Sequence, residues 1–318
     1  MRDHDATATR EALSFERLIP ALRDMFSQGC VVPQRHSHRI TDGGGNEITS
    51  LIMPAWLPGR YYGIKTVNIA PANTRVGLPG LHSTYLLYDA VTGAPLARID
   101  GDQITARRTA AASALAGSWL ARPDARHLLV VGAGQVARLL PEAYLTVRPI
   151  ERVTVWARDS AKADAFAGEL RKRGWDAHST THLDAAVGTA DIVSCATLAT
   201  APVVAGHWLG PGSHLDLIGS FTPAMREADD ACFAGAALYV DTDEALAKCG
   251  DLLGPMSRGV FGPGDVKGTL AQLARGQVSG RATAEQRTVF KSVGTALEDL
   301  AAAILVHETT LGAEPTQA

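Results

Sequence analysis

Residues 126–158 read RHLLVVGAGQVARLLPEAYLTVRPIERVTVWAR. Leu128 to Val131 is a short unbroken apolar run, the pattern of a strand buried on both faces. Gly132-Ala133-Gly134-Gln135-Val136-Ala137 follows directly, then an amphipathic run to about Val147 and a second apolar strand, Arg152 to Trp156. The whole is about thirty residues, the length of one βαβ crossover. A GxGxxA motif alone is a weak signal; a strand before it, a helix after it and a strand after that are the confirming context. Gly132 permits the tight turn, Gly134 lets the backbone approach a pyrophosphate, and small Ala137 lets helix pack on strand. Phosphates would then sit over a helix N-terminus, where N–H groups and the dipole favour anions. The stretch predicts a dinucleotide site, with Gln135 and Val136 in the cofactor loop; the alternative is a structural glycine turn.

The end of the second strand bears on which dinucleotide. An NAD site usually places Asp or Glu there, on the ribose 2′-hydroxyl. Here Ala157-Arg158 stand in that place, with Asp159 only after them. A guanidinium matches a 2′-phosphate in forked, charge-assisted geometry, so the expectation is NADPH, with NADH weaker. The plainer reading makes Arg158 a solvated loop charge and Asp159 the cap of the next helix.

The chain of 318 residues is 46% hydrophobic, enough for two globular domains. A net charge of −3 gives no field for a polyanion, which argues against nucleic acid as a partner. Cys30, Cys195, Cys232 and Cys249 have neither CxxC nor metal-ligand spacing and read as buried thiols in a reducing compartment. Residues 1–11 lack the apolar core of a signal peptide, and no run is long enough to span a bilayer. The expected location is the cytoplasm, with no membrane partner.

The first hundred residues lie outside the nucleotide unit. Ser14 to Phe26 has helical apolar spacing, with Ser14 as the expected N-cap. Short strands follow at Cys30 to Val32, Ile48 to Met53, Tyr62 to Asn68 and Ser83 to Asp89, with hairpin signals at Gly43-Gly44-Gly45-Asn46 and Thr92-Gly93. This predicts a mostly antiparallel sheet.

Three basic positions stand out there: Arg35 in Pro33-Gln34-Arg35-His36-Ser37-His38, Lys65 in Gly63-Ile64-Lys65-Thr66-Val67-Asn68, and Arg108 beside Arg107. Lys65 sits on an otherwise apolar strand. The run Ala110 to Leu120 is too apolar for a surface helix. Of the two arginines at its start, one is expected to reach solvent and the other to need an anion. Taken singly, each such basic residue is more often a surface charge. His36 and His38 lack a third ligand nearby, so no metal is expected.

Four stretches in order, Gly63-Ile64-Lys65-Thr66-Val67-Asn68, Thr105-Ala106-Arg107-Arg108-Thr109-Ala110-Ala111-Ala112-Ser113, Gly132-Ala133-Gly134-Gln135 and Phe290-Lys291-Ser292-Val293-Gly294, resemble the ornithine cyclodeaminase/mu-crystallin family from about residue 14 to 311. The resemblance implies an α/β chain: a Rossmann-type doubly wound parallel sheet domain, plus a mostly antiparallel α+β substrate domain that dimerises through its sheet. It implies an active site between the two. Arg35, Lys65 and Arg108 would hold the substrate carboxylate and the adjoining group. Thr109 and Gln135 would line the cofactor site, and Ser292 and Val293 would lie beside nicotinamide and substrate; a simple helix start is the alternative for the last pair.

Beyond the second strand, Ser160 to Arg173 reads as a helix, and Asp191 to Ala196, Ser213 to Ile218 and Ala237 to Val240 read as strands. Five or so strands separated by helices make a doubly wound sheet. Thr197 and Gly219, at strand ends, are expected on the cofactor. A short helix is expected from Lys267 to Gln277, a capping box at Thr283-Ala284-Glu285-Gln286, and a long helix from Val293 to Leu311. Expected domains are 1–115 with 293–318 for substrate and dimerisation, and 116–292 for the dinucleotide.

The Gly219 stretch separates activities within the resemblance. Cyclodeaminases have an aspartate where this chain has Phe221 and a lysine where it has Met225. A phenyl ring cannot handle protons. With the acid missing at Ala157, this points to an NADPH-dependent reductase of a cyclic imino acid, Δ1-pyrroline-2-carboxylate or Δ1-piperideine-2-carboxylate. Arg35 and Arg108 would clamp the carboxylate and Lys65 would manage the proton. The alternatives are a cyclodeaminase or an alanine-type amino-acid dehydrogenase on the same scaffold, or a non-catalytic NADPH-binding protein.

Overall fold

The computed structural model describes residues 1–41 and 43–312; residues 313–318, the end of the expected substrate domain, lie outside the described residues. Two compact units are present, one formed by Met1–Arg108 and the chain from Thr295 onward, the other by Thr109–Gly294.

The first unit opens with β1 (Arg2–His4), α1 (Ala6–Ala12) and α2 (Phe15–Gln28). Five strands follow: β2 (His36–Thr41), β3 (Glu47–Leu57), β4 (Tyr61–Ile69), β5 (Leu81–Asp89) and β6 (Pro95–Asp100). Helix α3 (Gly101–Leu120) carries the division between units. The sheet order is β1-β6-β5-β4-β3-β2, antiparallel except for the parallel β1–β6 pair. Both expected glycine turns join neighbours in it, with Gly43, Gly45 and Gly93 at φ of 75°, 90° and 74°.

Two local expectations fail here. Cys30 to Val32 is not a strand; only Val31 makes an isolated bridge, to Trp56, and Pro33 cannot donate to a ladder. The strand starts instead at His36, exposed along its whole length, so no apolar alternation announced it. Ser14 occupies the N-cap position but makes no capping bond; its Oγ accepts from Arg17 Nε at 3.4 Å.

The second unit continues with β7 (His127–Val131), α4 (Leu140–Leu145), β8 (Arg152–Trp156), α5 (Ser160–Lys172), β9 (Asp176–Ser179) and α6 (Leu183–Thr189). Then come β10 (Ile192–Cys195), β11 (His214–Leu217), β12 (Ala237–Val240), α7 (Ala245–Lys248) and α8 (Gly250–Ser257). It closes with β13 (Gly268–Thr269), α9 (Leu270–Ala274) and β14 (Thr288–Lys291). Helix α10 (Ala296–Gly312) belongs to the first unit, where it packs on α2, β3 and β4. Its buried Leu300 and Ala301 meet the same core as Phe15, Leu18 and Leu22 of α2.

The second sheet is wholly parallel, in the order β13-β12-β14-β11-β10-β7-β8-β9. Eight strands exceed the five expected: β9 and β13 are too short and polar to show a pattern, and β14, four residues long though fully buried, is not among those expected. The order turns back between β7 and β10, which opens the crevice where doubly wound sheets bind ligands. Leu129, Val131, Val193, Cys195, Leu217 and Val240 form one buried cluster beneath it.

The helix after the glycine loop is shorter than expected. Residues 137–139 close as a 3₁₀ turn and α4 begins at Leu140, because Pro141 in its first turn has no N–H to give. Thr283 to Gln286 forms a turn, not a helix start; Gln286 Oε1 accepts from Ala282 N at 2.7 Å. The capping box lies at Thr269 and Gln272 instead. Helix α10 starts after Val293 because the N–H groups of Val293 and Gly294 are committed to Asp241 and Gly294 has φ 77°.

Candidate active site

In the first unit, alternation along β4 places Gly63, Lys65 and Val67 on the buried face. A Cβ at Gly63 would lie 2.0 Å from the Tyr85 hydroxyl oxygen, so only glycine leaves that ring its place. Lys65 is 1% exposed; its Nζ lies 2.7 Å from Asp299 Oδ2 and donates to Thr105 Oγ1 at 3.3 Å. Arg108, one helical turn beyond Thr105, donates from Nε to Asp299 Oδ1 at 3.0 Å and from Nη1 to Glu298 Oε2 at 2.6 Å. Two cations and two carboxylates are thus buried together in mutual contact, which makes their interment tolerable. Burial holds the Lys65 amine down at about 8, with the Asp299 charge opposing that fall. Asp299 would be raised by burial, but Lys65 and Arg108 hold its carboxyl below the usual range.

The expectation that one arginine of the pair reaches solvent is corrected. Arg107 and Arg108 are 5% and 7% exposed. Arg107 donates from Nε to the Leu13 carbonyl at 2.6 Å, and its guanidinium lies 4.4 Å from the Phe15 ring centre. The anions beside Arg108 are the protein's own. Glu298 and Asp299 were not singled out in the sequence. Their signal was two adjacent acids on an otherwise apolar helix, where a buried charge demands a cation. Arg35 precedes β2 and is partly exposed, while His36 and His38 are exposed on β2. Among the described residues no group of three or more His, Cys, Asp or Glu could hold a metal.

In the second unit, Gly132 has φ 126°, and a Cβ there would lie 2.6 Å from the Ala196 carbonyl oxygen. Gly134 has open space where its Cβ would be, and both it and Gln135 are exposed, with Val136 half-buried behind them. Gly132 N donates to the Trp156 carbonyl at 2.7 Å, which pins the turn to the end of β8, and the open space at Gly134 fits the approach of a dinucleotide pyrophosphate. Arg158 is exposed at the end of β8, and Asp159 caps α5, its Oδ1 accepting from Ala161 N at 3.1 Å. Thr109 is half-buried on α3.

The carboxyl ends of the other strands are tied by buried acids. Glu227 Oε1 accepts from Thr197 N at 2.7 Å and Thr197 Oγ1 at 2.8 Å, and Oε2 from Gly219 N at 2.6 Å. Asp241 Oδ2 accepts from Val293 N and Gly294 N at 2.7 and 2.6 Å, which sets the loop containing Ser292 and Val293. Deeper, Asp216 on β11 accepts from Ser113, Tyr144 and Ser194 hydroxyls at 3.0, 3.0 and 2.5 Å; burial raises it to about 6. None of these three acids was singled out in the sequence. Phe221 is 47% exposed on the loop after Gly219, whereas Met225 is buried.

The family model described as "Ornithine cyclodeaminase/mu-crystallin family" matches residues 19–314. A Δ1-pyrroline-2-carboxylate reductase of Paracoccus denitrificans is 41% identical over 302 residues, covering 94% of each chain. A Thermococcus litoralis Δ1-pyrroline-2-carboxylate reductase, solved with NADH and L-proline, superposes with a TM-score of 0.91 at 34% identity, over 98% of each chain. An archaeal alanine dehydrogenase dimer with bound NAD gives a TM-score of 0.90 at 28% identity, over 98% of this chain and 96% of that one.

Proposed function

The chain belongs to the ornithine cyclodeaminase/mu-crystallin family, and from that premise we propose that it reduces Δ1-pyrroline-2-carboxylate to L-proline, and the six-membered Δ1-piperideine-2-carboxylate to L-pipecolate, with NADPH preferred to NADH. The observation that carries the reading is full-length likeness to reductases of this substrate, one of them solved with NADH and proline. The preference for the phosphorylated cofactor rests on Ala157-Arg158 alone.

A reduced nicotinamide supplies the hydride; Gly132, Gly134, Gln135, Val136, Arg158, Thr109, Thr197, Gly219 and Ser292 are the residues that would hold it. Arg35 and Arg108 orient the substrate carboxylate. Glu298 and Asp299 engage Arg108 through Nη1 and Nε, which fixes the plane of its guanidinium. Fixing the carboxylate fixes the imine carbon, and orientation of this kind is worth on the order of 7–11 kcal/mol of a barrier. Lys65 gives its proton to the imine nitrogen, because a protonated imine accepts hydride more readily. Asp299 keeps that ammonium charged in a buried place. Val293 packs by the substrate ring. Phe221 brings no carboxylate to the site, which disfavours the cyclodeaminase reaction.

The working form is a homodimer joined through the first sheet. One face of that sheet shows two apolar rows, Pro54-Ile64-Leu86 and Trp56-Tyr62-Tyr88, directly opposite one another in register. Tyr62 stacks on Tyr88 at 5.4 Å, and all six side chains are only partly buried in one chain. Such a face is of the kind that a second copy covers.

The test is oxidation of NADPH and NADH with five- and six-membered cyclic imines and with pyruvate plus ammonia, with chiral analysis of the product. Turnover of the cyclic imines to the L-amino acids supports the reading; turnover of pyruvate plus ammonia alone would replace it with an alanine-type dehydrogenase.

A further inference from the structure

Glu227 is fully buried, yet it makes three short bonds to the ends of two strands. The fit is tight: a Cβ at Gly219 would lie 1.9 Å from the Thr197 carbonyl oxygen and 2.4 Å from Glu227 Oε1. The segment carrying Glu227 is held in turn by Asp251 of α8, whose Oδ1 accepts from Glu227 N at 2.8 Å and Ala228 N at 3.1 Å. Asp251 lies 3.6 Å from Lys291 Nζ, which donates to the Leu217 carbonyl at 3.0 Å. The groups facing Glu227 are therefore Thr197 and the Cys195 thiol from β10 and its end, Asp251 from α8 and Lys291 from β14. The Lys291 ammonium also acts on Asp216 of β11 and on Asp241 after β12, so its single positive charge is shared among four buried carboxylates.

We propose that Glu227 is a positioning residue whose ionised carboxylate clamps Thr197 to Gly219, and that dinucleotide affinity falls when this carboxylate takes up a proton. The proposal rests on the reading of Thr197 and Gly219 as cofactor contacts. A carboxylate offers acceptors on both oxygens to the Thr197 and Gly219 N–H groups. Protonation turns one oxygen into a hydroxyl; the Thr197 hydroxyl can turn to accept from it, but the backbone N–H of Thr197 or of Gly219 then faces a poor acceptor, and that strand end is released. Burial, assisted by Asp251 and opposed by Lys291, raises the Glu227 carboxyl to about 7, so the clamp opens within the ordinary working range.

The experiment is a fluorescence titration with NADH on both sides of pH 7. NADH is used because it lacks the 2′-phosphate, whose own ionisation near pH 6 would confuse the result with NADPH. In the wild type the dissociation constant should rise about tenfold from the alkaline to the acid side, the scale of one hydrogen bond to a charged group. Glu227→Gln, which presents an amide N–H to one of the donors, should bind at every pH as weakly as the acid wild type, with no midpoint. Thr197→Val removes one bond to the ionised form and should move the midpoint to higher pH. A flat wild-type profile, or a midpoint retained in Glu227→Gln, overturns the proposal while leaving the cofactor reading intact. A wild type that binds NADH at no pH overturns both.

Discussion

The Asp299 carboxylate sits between two cations, 2.7 Å from Lys65 Nζ and 3.0 Å from Arg108 Nε. Its oxygens are divided, one to each, so a single side chain both compensates the buried lysine and orients the arginine. Lys65 loses its proton as pH rises through about 8, and its proposed role as proton donor predicts a descending limb on kcat there. In Asp299→Asn burial acts on the ammonium without that opposition, so the limb should move to lower pH. The same change breaks a buried ion pair and should cost about 3–5 kcal/mol of stability in thermal unfolding. A pH–rate profile unchanged in Asp299→Asn would remove Lys65 from the chemical step. Lys65→Ala separates the roles further, lowering kcat at saturating substrate if it acts on the proton and chiefly raising KM if it only binds.

Arg158 is exposed at the end of β8, with no acid at Ala157. Arg158→Ala should weaken NADPH about tenfold, on the scale of a charge-assisted contact, and leave NADH nearly unchanged. Equal losses for the two cofactors, measured by binding titration, would count against the 2′-phosphate contact.

Ile64 lies at the centre of the apolar row on the first sheet, between Pro54 and Leu86. Ile64→Glu should shift sedimentation from dimer towards monomer, because a charge would be buried without a partner at the joint. A wild type sedimenting as a monomer at micromolar concentration would defeat the dimer reading itself.

Phe221 has no titrating group to serve amine oxidation, ring closure and hydride return. Purified protein supplied with ornithine and NAD should release no ammonia, while reducing the preformed cyclic imine. Robust proline formation from ornithine would overturn the reductase assignment in favour of cyclodeamination.

Asp216 has a folded-state value near 6, above the ordinary 3.9 of an aspartate. The folded protein therefore holds this proton more tightly than the unfolded chain. Its contribution to stability is present below about pH 4 and is lost as pH rises through 6. At alkaline pH the ionised, buried group costs on the order of 3 kcal/mol. Asp216→Asn escapes that cost, because the three hydroxyls around it can turn to accept from an amide. Its melting temperature relative to wild type should be higher at pH 8 than at pH 5; an equal difference at both would show that the carboxylate is not the titrating group.

Much of the dinucleotide unit was legible locally. Leu128 to Val131, the two glycines and the strand to Trp156 carry their reading in adjacent residues, since apolar runs and glycine turns are properties of short range. The antiparallel first sheet was likewise visible in alternation and in the turns at Gly43-Gly44-Gly45-Asn46 and Thr92-Gly93. Strand β2 was not, because an edge strand exposed along its length buries nothing and need show no alternation.

By itself the sequence determined the glycine loop and its flanking strands, the missing acid at Ala157, and the presence of Lys65 and Arg108 where a core would prefer apolar residues. Tertiary structure alone decided what those charges meet. Arg108 and Asp299 are 191 residues apart along the chain, and Thr197 and Glu227 are 30 apart. No periodicity links such pairs, because their pairing follows from burial: once the fold removes a charge from water, the partner is whichever group the other elements bring within hydrogen-bonding reach.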